Sequence, residues 1–132
     1  SRFDLIPVYE TLNLLKTKYP ILACGNGHLA LAQSYGIIPE NLPAGHHGVN
    51  YPVKDTDSGL SYITTQNHLT VFYENDILKK YNIKVSHVNI NDNSVEGFLY
   101  SEKIFSVQFV PDVESTEFNT GYIWDKFIKL IQ

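Results

Sequence analysis

The sequence predicts an α/β fold, and three observations support that prediction. The first is a short apolar run, Ile21–Cys24, that leads through a turn of small residues into a helix-like segment. The second is residues 83–89, where apolar and polar side chains alternate as in a half-buried strand. The third is an amphipathic pattern at residues 121–131, typical of a helix packed on a sheet. Strands that alternate with helices place the chain in the α/β class.

The first element is predicted to be a helix over residues 8–18. Val8, Leu12 and Leu15 have helical spacing there, and Pro7 suits a first helical turn. After the strand Ile21–Cys24, the remaining predictions follow in chain order. They are a helix at 28–35, a short strand at 37–38, a loop at 39–43, strands at 51–54 and 60–65 joined by a turn at 55–59, a short turn or helix at 77–81, a strand at 83–89, a hairpin of 95–100 and 104–109, a polar stretch at 114–120 and a helix at 121–131.

The composition excludes several classes of function and partner. With 132 residues, 43% of them hydrophobic, residues 1–132 are predicted to be one folded domain. The net charge is −4 and the basic residues are scattered, which argues against nucleic acid as a partner. No apolar run approaches the roughly 20 residues of a membrane span. The single cysteine excludes an internal disulfide.

The turn after the first strand has the layout of a nucleophile-bearing turn, but no nucleophilic side chain stands at its tip. Strand, tight turn and helix are the layout that exposes a reactive side chain at the tip of an α/β sheet. The residue at the tip is Gly25, which has no side chain. Either Cys24, one position earlier, is the nucleophile, or the turn carries none. Because Cys24 lies within the predicted strand, we expect it to be a small buried hydrophobe with a raised thiol pKa and slow reactivity.

Five segments, in order, resemble motifs of the class I glutamine amidotransferases, and most closely those of the carbamoyl-phosphate synthetase small chain. Residues 20–28 resemble the family's G-[IV]-C-x-G-H-Q turn with its preceding strand, and 45–55 resemble G-H-H-G-x-N-x-P-V-K-D. Residues 65–68 resemble A-Q-N-H, 95–97 resemble [NLV]-[EQ]-G, and 105–112 resemble F-S-V-Q-F-H-P-E.

The resemblance implies a flavodoxin-like, mostly parallel sheet flanked by helices. In that family, several strands precede the helix that opens this chain, and here they are missing. The strand Ile21–Cys24 would then be a sheet edge with unpaired backbone groups, which favours a partner protein that covers it.

The resemblance also implies that the catalytic triad is lost. The family's cysteine falls on Gly25, its histidine on Val110 and its glutamate on Asp112. Glycine cannot attack an amide and valine cannot carry a proton, so a carboxylate at Asp112 has no imidazole to orient. We therefore expect a pseudoenzyme without cofactors.

The expected function is that of a structural or interaction subunit in a larger protein assembly. One alternative is a regulator that binds a glutamine-like molecule without turnover, with Gly27, Asn50 and Asn67 as polar lining; Leu29 and Leu69 argue against it because they fill the site. The other alternative is an active amidotransferase that uses Cys24. The resemblance favours an intracellular location, in the cytoplasm or the mitochondrion.

The histidines are candidate metal ligands. His46, His47, His68 and His28 offer imidazole groups, but no carboxylate or thiolate cluster accompanies them in the sequence. The resembled family keeps a similar His-His pair in a loop without metal. The sequence therefore predicts no metal site.

Overall fold

The structure, a computed structural model, describes residues 6–132, with no description of the side chains of residues 6–9, 43–45 and 48–50. In that range the chain forms, in order, α1 (Ile6–Leu15), β1 (Ile21–Cys24), α2 (Asn26–Ser34), β2 (Glu40–Asp55), β3 (Ser61–Val71), α3 (Asp76–Lys80), β4 (Lys84–Asn89), β5 (Val95–Ser101), β6 (Ile104–Val107) and α4 (Tyr122–Ile131).

The six strands form one sheet in the order β1-β6-β5-β4-β2-β3. β1 runs parallel to β6, with Ile21 opposite Ile104 and Cys24 opposite Val107. The other pairs, β6–β5, β5–β4, β4–β2 and β2–β3, are antiparallel. β1 and β6, the first and last strands in chain order, are therefore neighbours in the sheet.

The α/β prediction is confirmed, and the sheet is mixed. Within residues 6–132 the single parallel pair is β1–β6, so these residues do not form the mostly parallel sheet that the resemblance implies. The reason lies in the connections, because residues 90–94 and 102–103 are too short for the crossover that parallel strands require. In the same range β1 has one neighbour, β6, as expected for a strand at the edge.

The main departure from the predicted elements is the hairpin of β2 and β3. The predicted loop at residues 39–43 belongs largely to β2, and β3 continues to Val71 instead of ending at residue 65. The pairing of β2 with β3 is irregular between Asn41 and His46 and again between Gly48 and Tyr51. β3 still alternates between exposed and buried residues, but buried positions such as Thr64 and Gln66 are polar, so the apolar alternation from which strands are predicted is missing. Residues 37–38 form no strand, although Ile37 is buried in the core.

Two apolar layers cover the two faces of the sheet. One contains Leu31 and Ala32 of α2 with Phe72, Phe98 and Ile104. The other lies under α4 and joins Ile123 to Val53, Phe105, Val107 and Phe109. Side chains of β1 alternate between these layers, since Ile21 and Ala23 pack on the first and Leu22 and Cys24 on the second. The elbow between β1 and α2 is therefore anchored on both sides.

The helices of the described residues include none that is long and apolar enough to cross a membrane.

Candidate functional site

The predicted elbow is present at Gly25. β1 ends at Cys24, α2 begins at Asn26, and Gly25 between them has φ 58° and ψ −125°. Side chains rarely allow this conformation, so glycine relieves the strain that another residue would meet here. The Gly25 N–H donates to the Val107 carbonyl at 3.2 Å, and the Gly25 carbonyl accepts from the His28 N–H at 3.1 Å. The backbone thus holds the tip of the turn in place.

Val110 lies directly against the tip of the elbow. A Cβ added at Gly25 would meet Val110 Cγ2 at 3.9 Å, an ordinary van der Waals distance. Val110 follows β6, the parallel neighbour of β1, and its side chain is 68% exposed. Two of the positions singled out by the sequence are therefore neighbours in space. Neither residue carries a side-chain heteroatom, so this pair offers no nucleophile and no base.

Asp112, the third position of the resembled triad, makes a structural contact. Its carboxylate Oδ2 accepts hydrogen bonds from the Thr120 hydroxyl at 2.8 Å and from the Thr120 N–H at 3.2 Å. The Asp112 N–H in turn donates to Thr120 Oγ1 at 2.9 Å. These bonds close the loop that leads to α4. The sequence does not indicate this pairing, because the two residues are separated by a polar stretch with no regular pattern.

Cys24 is one residue from the tip but faces away from it. Its side chain packs with Leu22 against the apolar layer under α4, which includes Val107 and Ile123. The thiol is half-buried, and burial raises its pKa. The thiol has the raised pKa that the sequence predicts, but it is half-buried where the sequence predicts a buried residue.

A cavity of about 350 Å³ opens beside the elbow, between α2 and the β2–β3 hairpin. Of the predicted ligand-binding residues, Asn67 lines it, Gly27 is not among its lining residues, and the side chain of Asn50 lies outside the described residues. Leu29 and Leu69 form part of its wall and leave the cavity open. The remaining lining residues are Asn26, His47, His68, Thr70 and Gln108.

The prediction that no carboxylate accompanies the histidines is wrong. His46 Nε2 lies 2.8 Å from Asp92 Oδ2, and His46 Nδ1 lies 3.9 Å from Glu96 Oε1 and 3.3 Å from His68 Nε2. We name His46, His68, Asp92 and Glu96 the histidine–carboxylate cluster. The spacing of these residues in the sequence does not reveal the cluster, because only the folded sheet brings β2, β3 and β5 close together.

The cluster contains ionisable groups with shifted pKa values. Burial raises the pKa of Glu96 to about 7, while the hydrogen bond from Asn89 opposes that rise. Burial, together with the nearby His46, lowers the pKa of His68 to about 4. Asp92 has a lowered pKa despite partial burial, because Ser94 and His46 donate hydrogen bonds to its carboxylate.

Two other buried histidines have polar partners that the sequence did not indicate. His28 Nδ1 lies 2.6 Å from Ser106 Oγ, which also contacts the Tyr100 hydroxyl at 2.8 Å. His28 is fully buried and stacked on Phe98, so this serine–histidine pair has no path to a substrate. The second histidine, His87, contacts the Tyr122 hydroxyl of α4 at 2.6 Å.

Comparison with solved structures supports the fold. The chain is similar to a GMP synthase subunit protein from Thermoplasma acidophilum, with a TM-score of 0.73 and 22% identity over 96% of this chain and 63% of that one. It is also similar to a glutamine amidotransferase from Thermotoga maritima, with a TM-score of 0.65 and 19% identity over 80% of this chain and 46% of that one.

Comparison with sequences identifies the family. The family model for class-I glutamine amidotransferases matches residues 7–130. The chain is 33% identical over 129 residues to a carbamoyl phosphate synthase small chain of Solidesulfovibrio magneticus, covering 97% of this chain and 34% of the relative. It is 37% identical over 115 residues to an arginine-specific small chain of Geobacillus stearothermophilus, covering 86% and 32%. The chain spans about a third of the length of these relatives. It therefore belongs to the class-I glutamine amidotransferase family and is similar to its carbamoyl phosphate synthase small chains.

Proposed function

We propose that this chain is a pseudo-amidotransferase: a domain like that of the carbamoyl phosphate synthase small chain that does not hydrolyse glutamine and acts as an interaction subunit of a larger protein assembly. The observation that carries the proposal is the tip of the elbow. The backbone keeps the strained conformation that presents a nucleophile, yet glycine occupies the tip and Val110 lies against it.

The chemistry of glutamine hydrolysis supports the first part of the proposal. A thiolate must attack the amide, and a base must take up and return the proton within hydrogen-bond reach of it. At the elbow, Gly25 and Val110 supply only aliphatic carbon, and the Asp112 carboxylate is bound to Thr120. Cys24 packs into the layer under α4, on the other side of its strand.

The edge of the sheet supports the second part. All four residues of β1 are half-buried, and within residues 6–132 the strand has β6 as its one neighbour. The free side of such a strand is a template for pairing with another chain. The relatives are named small chains of a synthase, a name that implies a companion chain. We infer that a further protein segment covers this edge and that this chain works bound to a companion chain.

The catalytic half of the proposal is tested by measuring ammonia and glutamate release from glutamine. The wild-type chain should release no more than a buffer blank. Gly25→Cys alone should also be inactive, because Val110 supplies no base. Ammonia release by the wild type that disappears in Cys24→Ala would overturn the proposal and establish the alternative in which Cys24 is the nucleophile.

The assembly half is tested separately by the mass of the native particle. Native mass spectrometry of the protein isolated from its source cells should show a particle that contains this chain together with other chains and separates into them on denaturation. A monomeric particle would contradict an interaction subunit while leaving the glutaminase result unaffected.

A second candidate function is a regulator that binds a small amide without turnover. The cavity beside the elbow favours it, because Asn26 and Asn67 supply amide groups along a wall that is otherwise partly apolar. Isothermal titration calorimetry with glutamine distinguishes this candidate. Saturable binding that is lost in Asn67→Ala would support it, and the absence of heat would exclude glutamine as the ligand.

A further inference from the structure

The centre of the histidine–carboxylate cluster lies where three strands meet. His46 comes from β2, His68 from β3 and Glu96 from β5, and one potential ligand atom of each lies within 4.8 Å of the others. His46 is 6% exposed and Glu96 is 1% exposed. Buried groups of this kind need partners, because an unsatisfied polar group loses its hydration without compensation.

The hydrogen bonds of His46 direct one nitrogen lone pair into the cluster. Nε2 lies 2.8 Å from the Asp92 carboxylate, which is an acceptor, so Nε2 carries the proton in the neutral ring. Nδ1 is then unprotonated, and it faces His68 Nε2 at 3.3 Å and Glu96 Oε1 at 3.9 Å.

Both ring nitrogens of His68 face oxygen acceptors, since Nδ1 lies 2.9 Å from the Thr70 carbonyl oxygen and Nε2 lies 2.6 Å from Gln66 Oε1. A neutral ring carries one N–H and can donate to only one of them. With the proton on Nδ1, the lone pair of Nε2 faces His46 Nδ1 and Gln66 Oε1. Two imidazole lone pairs that face each other at 3.3 Å repel unless a positive charge lies between them.

The amide of Gln66 cannot relieve this repulsion by turning its N–H donors toward His68. Its Nε2 donates to Thr64 Oγ1 at 2.8 Å, and the Thr64 hydroxyl proton is already donated to the Tyr51 carbonyl at 2.8 Å. The amide oxygen must therefore face His68. In addition, Glu96 Oε2 is buried without a hydrogen-bond partner among the described residues. Two imidazole nitrogens, an amide oxygen and the Glu96 carboxyl group, whose Oε1 accepts from Asn89, thus converge on one place.

We propose that His46 Nδ1, His68 Nε2 and the Glu96 carboxylate bind one divalent transition-metal ion of the zinc class. Two imidazoles and one carboxylate form a three-residue ligand set that zinc accepts in proteins. Ligand atoms about 2.1 Å from a tetrahedral ion lie about 3.4 Å apart. This matches the 3.3 Å between His46 Nδ1 and His68 Nε2. Glu96 must move by about 1 Å to complete the set. Asp92 and the Thr70 carbonyl hold the two imidazoles in their ligating tautomers.

The proposal is tested with the metal alone, independently of any glutaminase activity. The purified chain is stripped with a chelator, freed of it by dialysis and titrated with Zn²⁺ by calorimetry and with Co²⁺ by visible absorption. One ion per chain and the absorption of tetrahedral Co²⁺ are expected. His68→Gln and Glu96→Gln should weaken binding by more than about 10-fold, and Asp92→Asn by roughly 10–100-fold.

His47→Ala is the matched control, because His47 is the exposed neighbour of His46 and lies outside the cluster. It should bind the ion as the wild type does, and circular dichroism should show that each variant is folded. If a ligand variant fails to fold, Zn²⁺ must still raise the melting temperature of the wild type and raise that of Asp92→Asn less. A folded wild type that takes up neither ion, or ligand variants that bind it equally well, would overturn the proposal and leave a proton as the shared cation.

Discussion

At the scale of single residues, Gly25 combines an unusual backbone conformation with the absence of a side chain at the tip of the elbow. The tip of the elbow requires φ 58° and ψ −125°, and a Cβ there would find ordinary contact distance to Val110. Any cost of a side chain at residue 25 must therefore come from backbone strain and not from a clash.

Gly25→Ala should lower the free energy of unfolding by about 1–3 kcal/mol, because a non-glycine residue is strained in this region. Urea unfolding measures the change. Gly27→Ala is the control from the same turn: an added Cβ would lie 3.4 Å from Ala23 Cβ, and alanine favours the helix that Gly27 occupies. Equal effects of the two substitutions would show that the conformation of Gly25 is not strained.

Cys24 should react slowly with a thiol reagent under native conditions, because burial raises its pKa and reduces the thiolate fraction. The rate of labelling by a chromogenic disulfide is the measurement, and the same chain in urea provides the fully accessible rate. The chain contains a single cysteine, so the signal has one source. Native labelling as fast as that of the unfolded chain would contradict the packing of Cys24 under α4.

At the scale of elements, a polar contact supplements the apolar packing of α4 on the sheet. The Tyr122 hydroxyl donates to Asp55 Oδ2 at 2.8 Å and accepts from His87 Nε2 at 2.6 Å. Ser86 Oγ lies 2.9 Å from His87 Nδ1, which satisfies the other ring nitrogen. Gly97 allows this arrangement, since a Cβ there would lie 2.5 Å from Ser86 Oγ. Strands β2 and β4 and helix α4 are therefore joined through one hydroxyl.

Tyr122→Phe should destabilise the chain by about 1–3 kcal/mol, because it leaves His87 and Asp55 without their shared partner in a largely buried place. Thermal and urea unfolding give the magnitude. Tyr62→Phe is the matched control. The centroids of the Tyr62 and Tyr122 rings lie 5.0 Å apart, but the Tyr62 hydroxyl is not part of the hydrogen bonds among Tyr122, His87 and Asp55. An effect of Tyr122→Phe no larger than that of Tyr62→Phe would show that the contact contributes nothing.

At the scale of the whole molecule, buried histidines make stability depend on pH. Burial lowers the pKa of His28 to about 3 and those of His68 and His87 to about 4, against an ordinary value of 6.5. Between those values the unfolded chain binds protons that the folded chain does not, so stability falls as the pH falls below 6.5. Glu96 acts in the opposite direction, because its raised pKa, about 7, makes the folded chain hold a proton that the unfolded chain loses above 4.5.

The three histidines outnumber the one carboxyl, so acidification from about pH 6.5 to 5 should destabilise the fold by about 2–3 kcal/mol, at about 1.4 kcal/mol per pH unit for each proton. Urea unfolding at a series of pH values measures the slope. His28→Leu removes one of the three groups and should flatten it. A stability that is constant or rises over this interval would mean that the histidines are not held neutral in the fold.

Much of the first half of the fold was accessible from the sequence, because its signals are local. The apolar run of β1, the small residues of the turn and the helical pattern of α2 lie next to one another in the chain, and the predicted bounds of β1 are the observed ones. The absence of a side chain at Gly25 and the aliphatic Val110 are likewise facts of the sequence alone. The motifs that resemble the amidotransferases led to the correct family because several of them occur in order.

Tertiary structure decided what depends on contacts between distant residues. β3 buries polar residues such as Thr64 and Gln66 and exposes Ile63 and Leu69, so its length became apparent only from the pairing of the strands. The sequence around Asp112 does not tell whether its carboxylate orients a histidine or binds Thr120. Only the geometry of the loop shows that it binds Thr120. His46, His68, Asp92 and Glu96 lie up to 50 residues apart, and the sheet alone places their polar atoms together. Local sequence determines local conformation, whereas the partner of a polar side chain depends on which strands become neighbours.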